Sequence, residues 1–224
     1  MNSLSDQHER FDSESVNPQI FWDEFQKISS ILESEMDEII NHLKNNDSQV
    51  WRRVFCRTFF AYLEGEVYSL KQLFLFYDWW VVEEEAELKI RNQKLIKNQD
   101  GTTKVIDAYL PLIQNVKLIF DAFAAAAEIK PLISENDECW NLLSRAVKIR
   151  NRIVHPKRSE DLTISDEEIE LIREIGRWYL SNSALLLEKR AEALFRLIQI
   201  MEKAAMEQFG PRNNVEEEPN NKIY

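Results

Sequence analysis

The sequence predicts an all-α fold, an up-and-down bundle of long helices, and three observations carry that prediction. Apolar residues recur at three-or-four spacing over long runs, and helix-start signals stand in front of those runs. Turn punctuation is sparse, with four glycines and six prolines in 224 residues. A sandwich or barrel needs far more frequent turns. A hydrophobic content of 44% in a chain of this length is enough to bury one core.

Residues 1–16 are polar and acidic and are predicted to form a disordered segment. Asn17-Pro18 reads as an N-cap followed by proline at the first helical position. Phe21, Phe25, Ile28, Leu32, Met36, Ile39 and Leu43 then keep helical spacing up to the Asn45-Asn46-Asp47 break. Ser48 can cap a second helix running to about Trp80, so the two should form a helical hairpin. Residues 83–97 are rich in good helix formers, whereas Asn98-Gln99-Asp100-Gly101 is a turn signal with alternating residues on both sides. A short hairpin or a plain loop is expected near residues 95–106. Pro111 opens another helical run to about Lys130, where Pro131 interrupts it. A further helix begins near Asn136 or Asp137 and reaches Val154. Ser165-Asp166-Glu167-Glu168 has the form of a capping box and opens a long helical region. Its apolar residues, Ile169, Ile172, Ile175, Tyr179, Leu186, Leu194, Leu197 and Met201, continue toward Gly210-Pro211, with Ser181-Asn182-Ser183 a candidate break. Residues 17–210 thus read as one helical domain, and 211–224 as a disordered acidic tail.

The formal charge of −11 argues against a protein that coats nucleic acid along its whole surface. The average hides an island. Arg145, Lys148, Arg150, Arg152, Lys157 and Arg158 fall within fourteen residues that hold no acid, so the remainder carries −17. Cys56 and Cys139 lack metal-ligand or CxxC spacing and read as buried thiols of a reducing compartment. The first residues show no basic, then apolar, leader, and the apolar stretch 116–129 is short and broken by Asp121 and Glu128. A cytoplasmic protein without a membrane span is expected. No phosphate-binding glycine loop and no activated Ser or Cys elbow occurs. His8 and His42 have no companion at ligand spacing, and Glu83-Glu84-Glu85 reads as an acidic helix surface, so neither a metal nor a cofactor is expected.

Chemistry concentrates at the end of the helix from about Asp137 to Val154. Leu142, Ala146, Ile149 and Ile153 form an apolar stripe, which turns the neighbouring faces outward. Lys148, Asn151 and His155 then stack on one side, with Arg152 close by. Arg150 would point about 140° away from His155 on an ideal helix. Because His155 precedes Pro156, its backbone is biased out of the α region, which lets the imidazole swing back toward the last turn. An imidazole and a guanidinium together suit metal-free RNA cleavage. The first moves a proton to or from the ribose 2′-hydroxyl or the leaving 5′-oxygen, and the second stabilises charge building on phosphorus.

The run Arg150-Asn151-x-x-x-His155 resembles the signature of the HEPN (higher eukaryotes and prokaryotes nucleotide-binding) domains, an arginine and a histidine separated by four to six residues. The likeness extends to the polar residue directly after the arginine, to the place at a helix end and to the all-α setting. It implies a small helical bundle, a homodimer with a composite active site, 2′-hydroxyl attack and 2′,3′-cyclic phosphate products. Arg150, Asn151 and His155 would be the catalytic group, with Arg145, Lys148, Arg152 and Lys157 holding the RNA backbone. A toxin or defence enzyme, restrained by a neutralising protein partner, fits such an activity.

Two other readings stand beside it. The basic residues could simply oppose the negative end of the helix dipole, or the module could bind RNA, a nucleotide or a protein without cleaving anything. Arg53, Arg57 and Glu64 fall on one side of the second helix. Arg57 and Glu64 are candidates to support the site, although an ion pair on a core helix explains them as well. Asp78-Trp79-Trp80-Val81-Val82 could stack bases, or serve as core or interface.

Overall fold

A computed structural model describes residues 18–78 and 81–209, with side chains over 23–78 and 81–207. The elements are α1 (Pro18–Asn45), α2 (Gln49–Tyr77), α3 (Glu84–Ile90), β1 (Gln93–Lys97), β2 (Thr103–Asp107), α4 (Leu112–Ala126), α5 (Glu138–Val154) and α6 (Asp166–Phe209). A single 3-10 turn, Ser159–Leu162, lies between α5 and α6. The body is all-α, and the one sheet among the described residues is the two-stranded β1–β2 hairpin. The segment 1–16, the tail 211–224 and the Trp79-Trp80 pair lie outside the described residues.

Local signals position most of these ends. Ser48 is extended, and its hydroxyl accepts a long hydrogen bond from the Trp51 amide at 3.4 Å. The capping box of α6 is reciprocal: the Ser165 hydroxyl accepts from the Glu168 amide at 3.3 Å, and the Glu168 carboxylate accepts from the Ser165 amide at 3.1 Å. Between α3 and α4 the turn at Asn98–Gly101 closes the hairpin, with the Asn98 amide donating to the Thr102 carbonyl and Gly101 at φ +85°. Gly65, in mid-α2, admits the side chain of Leu32 from α1. A Cβ there would lie 2.5 Å from the Leu32 Cδ1.

Four boundaries differ from the sequence reading. The helix formers after Ile90 do not continue α3, because Asn92 turns left-handed at φ +57° and Gln93–Lys97 pair with Thr103–Asp107. In place of the predicted run to Lys130, α4 stops at Ala126. Glu128 takes φ +58°, and the Ile129 amide reaches back to the Ala124 carbonyl, so the helix closes before Pro131 can matter. The second helix ends at Tyr77 rather than near Trp80, capped by Asp78. No break occurs at Ser181-Asn182-Ser183: Asn182 and Ser183 donate to the carbonyls of Trp178 and Tyr179, at 2.8 Å each, and the helix runs on.

The core is built around α2, which packs against α1, α4, α5 and α6. Phe55, Phe60, Leu63, Leu70 and Phe74 meet Ile119, Phe120 and Phe123 of α4 and Ile172, Ile175 and Tyr179 of α6. On α5 the buried stripe is Trp140, Leu143, Ala146, Ile149 and Ile153, so Leu143 takes the place expected of the half-buried Leu142. At the far end, Arg190 of α6 is buried against the Asp78 carboxylate and donates to the Ala126 carbonyl at 2.8 Å. Beyond that clamp Leu197 and Met201, expected to continue the core stripe, are exposed, as is every described side chain from Phe195 onward.

Candidate active site

The end of α5 and the loop after it are held by one stripe of α2. Gln49, Arg52, Arg53 and Arg57 recur at helical spacing, and all four reach backbone of this segment. Arg57 donates to the Ile153 carbonyl in the last turn of α5 at 3.3 Å. Arg53 donates to the Leu162 carbonyl at 2.9 Å, and Arg52 to the Ile164 carbonyl at 2.9 Å. Gln49 grips Ile164 on both sides, accepting from its amide and donating to its carbonyl, each at 2.9 Å. Between these anchors, the Asp161 carboxylate accepts from the amides of Lys157 and Arg158 at 2.8 and 3.0 Å. Those two amides, with the Arg158 charge, hold the Asp161 carboxyl below its usual range. The loop from His155 to Ser165 is therefore pinned at both stems and across its turn.

His155 caps α5. Its φ and ψ of −124° and 61° lie outside the α region, as the following proline demands, while its amide still closes the last turn on the Asn151 carbonyl. The side chain is exposed and makes no hydrogen bond or ion pair among the described residues. Five residues earlier, Arg150 is held by two neighbours. Its Nη2 donates to the Glu64 Oε1 at 2.9 Å, and its Nη1 to the Asn151 Oδ1 at 3.2 Å. Glu64, two turns along α2 from Arg57, thus meets the motif arginine directly, and Asn151 touches it as well.

The six cations of the island divide evenly. Arg150 is paired with Glu64, and Arg152 with both carboxylate oxygens of Glu168, at 3.0 and 2.8 Å. Arg158 approaches Asp161 at 3.8 Å. The side chains of Arg145, Lys148 and Lys157 are exposed and take no partner among the described residues. Arg145 and Lys148 border a cleft of about 230 Å³ between α5 and α6, with Ile149, Leu171, Glu167 and Glu168 on its other sides. Beneath the site lies Cys56, fully buried, whose thiol is pushed up to about 12 by burial and is inert at neutral pH. Cys139 is half-buried, and both thiols are free.

Of the residues that the sequence singled out, the structure brings Arg57, Glu64, Arg150 and Asn151 to the junction of α2 and α5, while the His155 side chain stands exposed at the end of α5 without a hydrogen bond to them. Sequence reasoning missed Glu168 as the partner of Arg152, and the clamp by Gln49 and Arg52. The i, i+3, i+4, i+8 spacing of the α2 residues was readable, whereas the segment that they would face was not. No group of three or more His, Cys, Asp or Glu side chains placed to hold a metal occurs among the described residues. No described helix is long and apolar enough to cross a membrane. Comparisons with protein families, with curated proteins and with solved structures return no match to this chain.

Proposed function

We propose that the chain is a metal-independent endoribonuclease of HEPN type, in which His155 moves the proton and Arg150 binds the phosphate at the cleaved linkage. The observation that carries this reading is an exposed imidazole on a loop pinned by α2, five residues along the chain from a guanidinium that Asn151 contacts and the Glu64 carboxylate pairs with. A donor that Asn151 keeps in place costs little reorganisation when charge develops, which is what a phosphoryl transition state needs. Arg145, Lys148 and Lys157 supply unpartnered charge for the RNA backbone, and Arg152 could join them only by leaving Glu168. A second copy would complete a composite site, as the family resemblance implies, and a neutralising protein partner would restrain a toxin or defence activity.

Purified protein incubated with labelled RNA in excess EDTA tests the reading. Wild type should release products ending in a 2′,3′-cyclic phosphate, and Arg150→Ala and His155→Ala should each lower the rate by about 10²-fold or more. The pairing of Arg150 with Glu64 favours one rival, a non-catalytic helical module that binds RNA, a nucleotide or a protein. Binding by wild type without cleavage, across single-stranded and structured substrates, would establish that rival instead.

A further inference from the structure

Arg150 and Glu64 are an unusual pair to find in a phosphate site. A guanidinium binds phosphate through a fork of two N–H groups. Here both terminal nitrogens of Arg150 already face protein oxygens, and one of those is a carboxylate, the group that most resembles a phosphate in charge and shape. Neither partner is buried into the arrangement, since the side chains of Arg150 and Glu64 are 33% and 44% exposed. An exposed pair of this kind contributes little to stability, is weakened by salt and exchanges readily for another anion. Glu64 projects from α2 and Arg150 from α5, so the carboxylate can leave without disturbing either helix.

We propose that Glu64 gates the site: its carboxylate occupies Arg150 in place of RNA, and an RNA phosphate must displace it before the arginine can serve. The inference rests on the ribonuclease reading above and adds a threshold to it. A strand held first by Arg145, Lys148 and Lys157 would bring a phosphate to Arg150 at high local concentration. A single anion in solution would compete with Glu64 unaided. The gate thereby favours polymeric RNA over mononucleotides and inorganic phosphate.

Glu64→Gln keeps the shape and an accepting oxygen but removes the charge. Binding of a labelled single-stranded RNA of about twenty nucleotides should be followed by anisotropy over a salt series, using the full chain. Glu160→Gln, which removes a charge from the loop after α5 without touching Arg150, reports the effect of net charge alone. Glu64→Gln should tighten binding about fivefold at low salt, where the ion pair that the phosphate must displace is strongest. Glu160→Gln should give the smaller gain. In an Arg150→Ala background, the gain from Glu64→Gln should shrink to that of Glu160→Gln. Under turnover, Glu64→Gln should lower KM about fivefold, in step with the tighter binding.

A Glu64→Gln variant that binds no more tightly than Glu160→Gln, or more weakly than wild type, overturns the gate and leaves Glu64 as a residue that orients Arg150. Cleavage by wild type, lost in Arg150→Ala and His155→Ala but with an unchanged KM in Glu64→Gln, would sink the gate alone. Absence of both binding and cleavage in wild type and every variant would remove the ribonuclease reading, and the gate with it.

Discussion

Lys71 is an ammonium group inside the core, 2% exposed, with no carboxylate on its nitrogen among the described residues. Its Nζ donates to the side-chain oxygens of Asn92 and Asn115 at 2.8 and 2.5 Å, tying α2 to the left-handed turn after α3 and to the start of α4. Burial pulls its pKa down from 10.5 to about 8. The unfolded chain therefore binds more protons than the folded one between those values, and the sign follows: stability from this residue rises with pH across that window. Urea unfolding at about pH 7.5 and about pH 9.5 checks it, with wild type expected to gain on Lys71→Met as pH rises. Equal changes in the two proteins would refute it. Nothing in Leu70-Lys71-Gln72 announced a buried cation, because its acceptors lie in other elements. Arg150 and Glu64 illustrate the same point at the site. Each was legible as a candidate by residue type and helical position, but their contact joins α5 to α2 and depends on how those helices cross.

Among the elements, α6 shows how far local chemistry reaches. Its start was written in Ser165-Asp166-Glu167-Glu168, and both capping bonds form. Glu168 does more than cap, since the same carboxylate takes the Arg152 guanidinium and so joins the first turn of α6 to the last turn of α5. Ser165→Ala removes one acceptor from the helix start and should cost about 1 kcal/mol in a denaturant titration, with little change in RNA binding. A cost near zero would mean that the Glu168 carboxylate alone holds that end. The polar triplet Ser181-Asn182-Ser183 misled the reading in the other direction. Such side chains weaken a helix when they compete for backbone, yet here Asn182 and Ser183 bond the preceding turn while Tyr179 and Leu186 on either side are packed into the core. The hairpin at Gln93–Asp107 was legible from its turn, and its first strand was not, because Gln93–Lys97 has the composition of a helix. Asn92, held by Lys71 and by the Ala108 amide, redirects the chain there.

At the scale of the molecule, the body ends at the clamp of Arg190 on Asp78 and Ala126, and α6 does not. About 28 Å of helix extends past it at 1.5 Å per residue. Phe195, Leu197, Ile198, Ile200, Met201 and Met206 are each between 45% and 73% exposed on that extension, a larger apolar surface than a lone helix ordinarily shows to water. Its stability is therefore separable from that of the body. Truncation after Leu194 should leave the unfolding free energy of the remainder within about 0.5 kcal/mol. In the full chain at low concentration, amides past residue 195 should exchange hydrogen far faster than those between Ile172 and Leu186. Slow exchange over the whole of α6, or a large loss on truncation, would show that the extension is held by something else.

The sequence by itself determined the all-α class, most helix starts, the turn at Asn98–Gly101 and the concentration of candidate chemistry between Arg145 and Lys157. Those features are local: period, caps and left-handed turns act within a few residues, and so they can be read without knowing the fold. Only the tertiary structure decided which charges stay free. Glu64, Glu168 and Asp161 take three cations of the basic island, and the first two come from other helices, so a run of charge in sequence became three paired cations and three unpartnered among the described residues. Coulomb attraction acts through space rather than along the chain, and only the folded arrangement says which charges it joins.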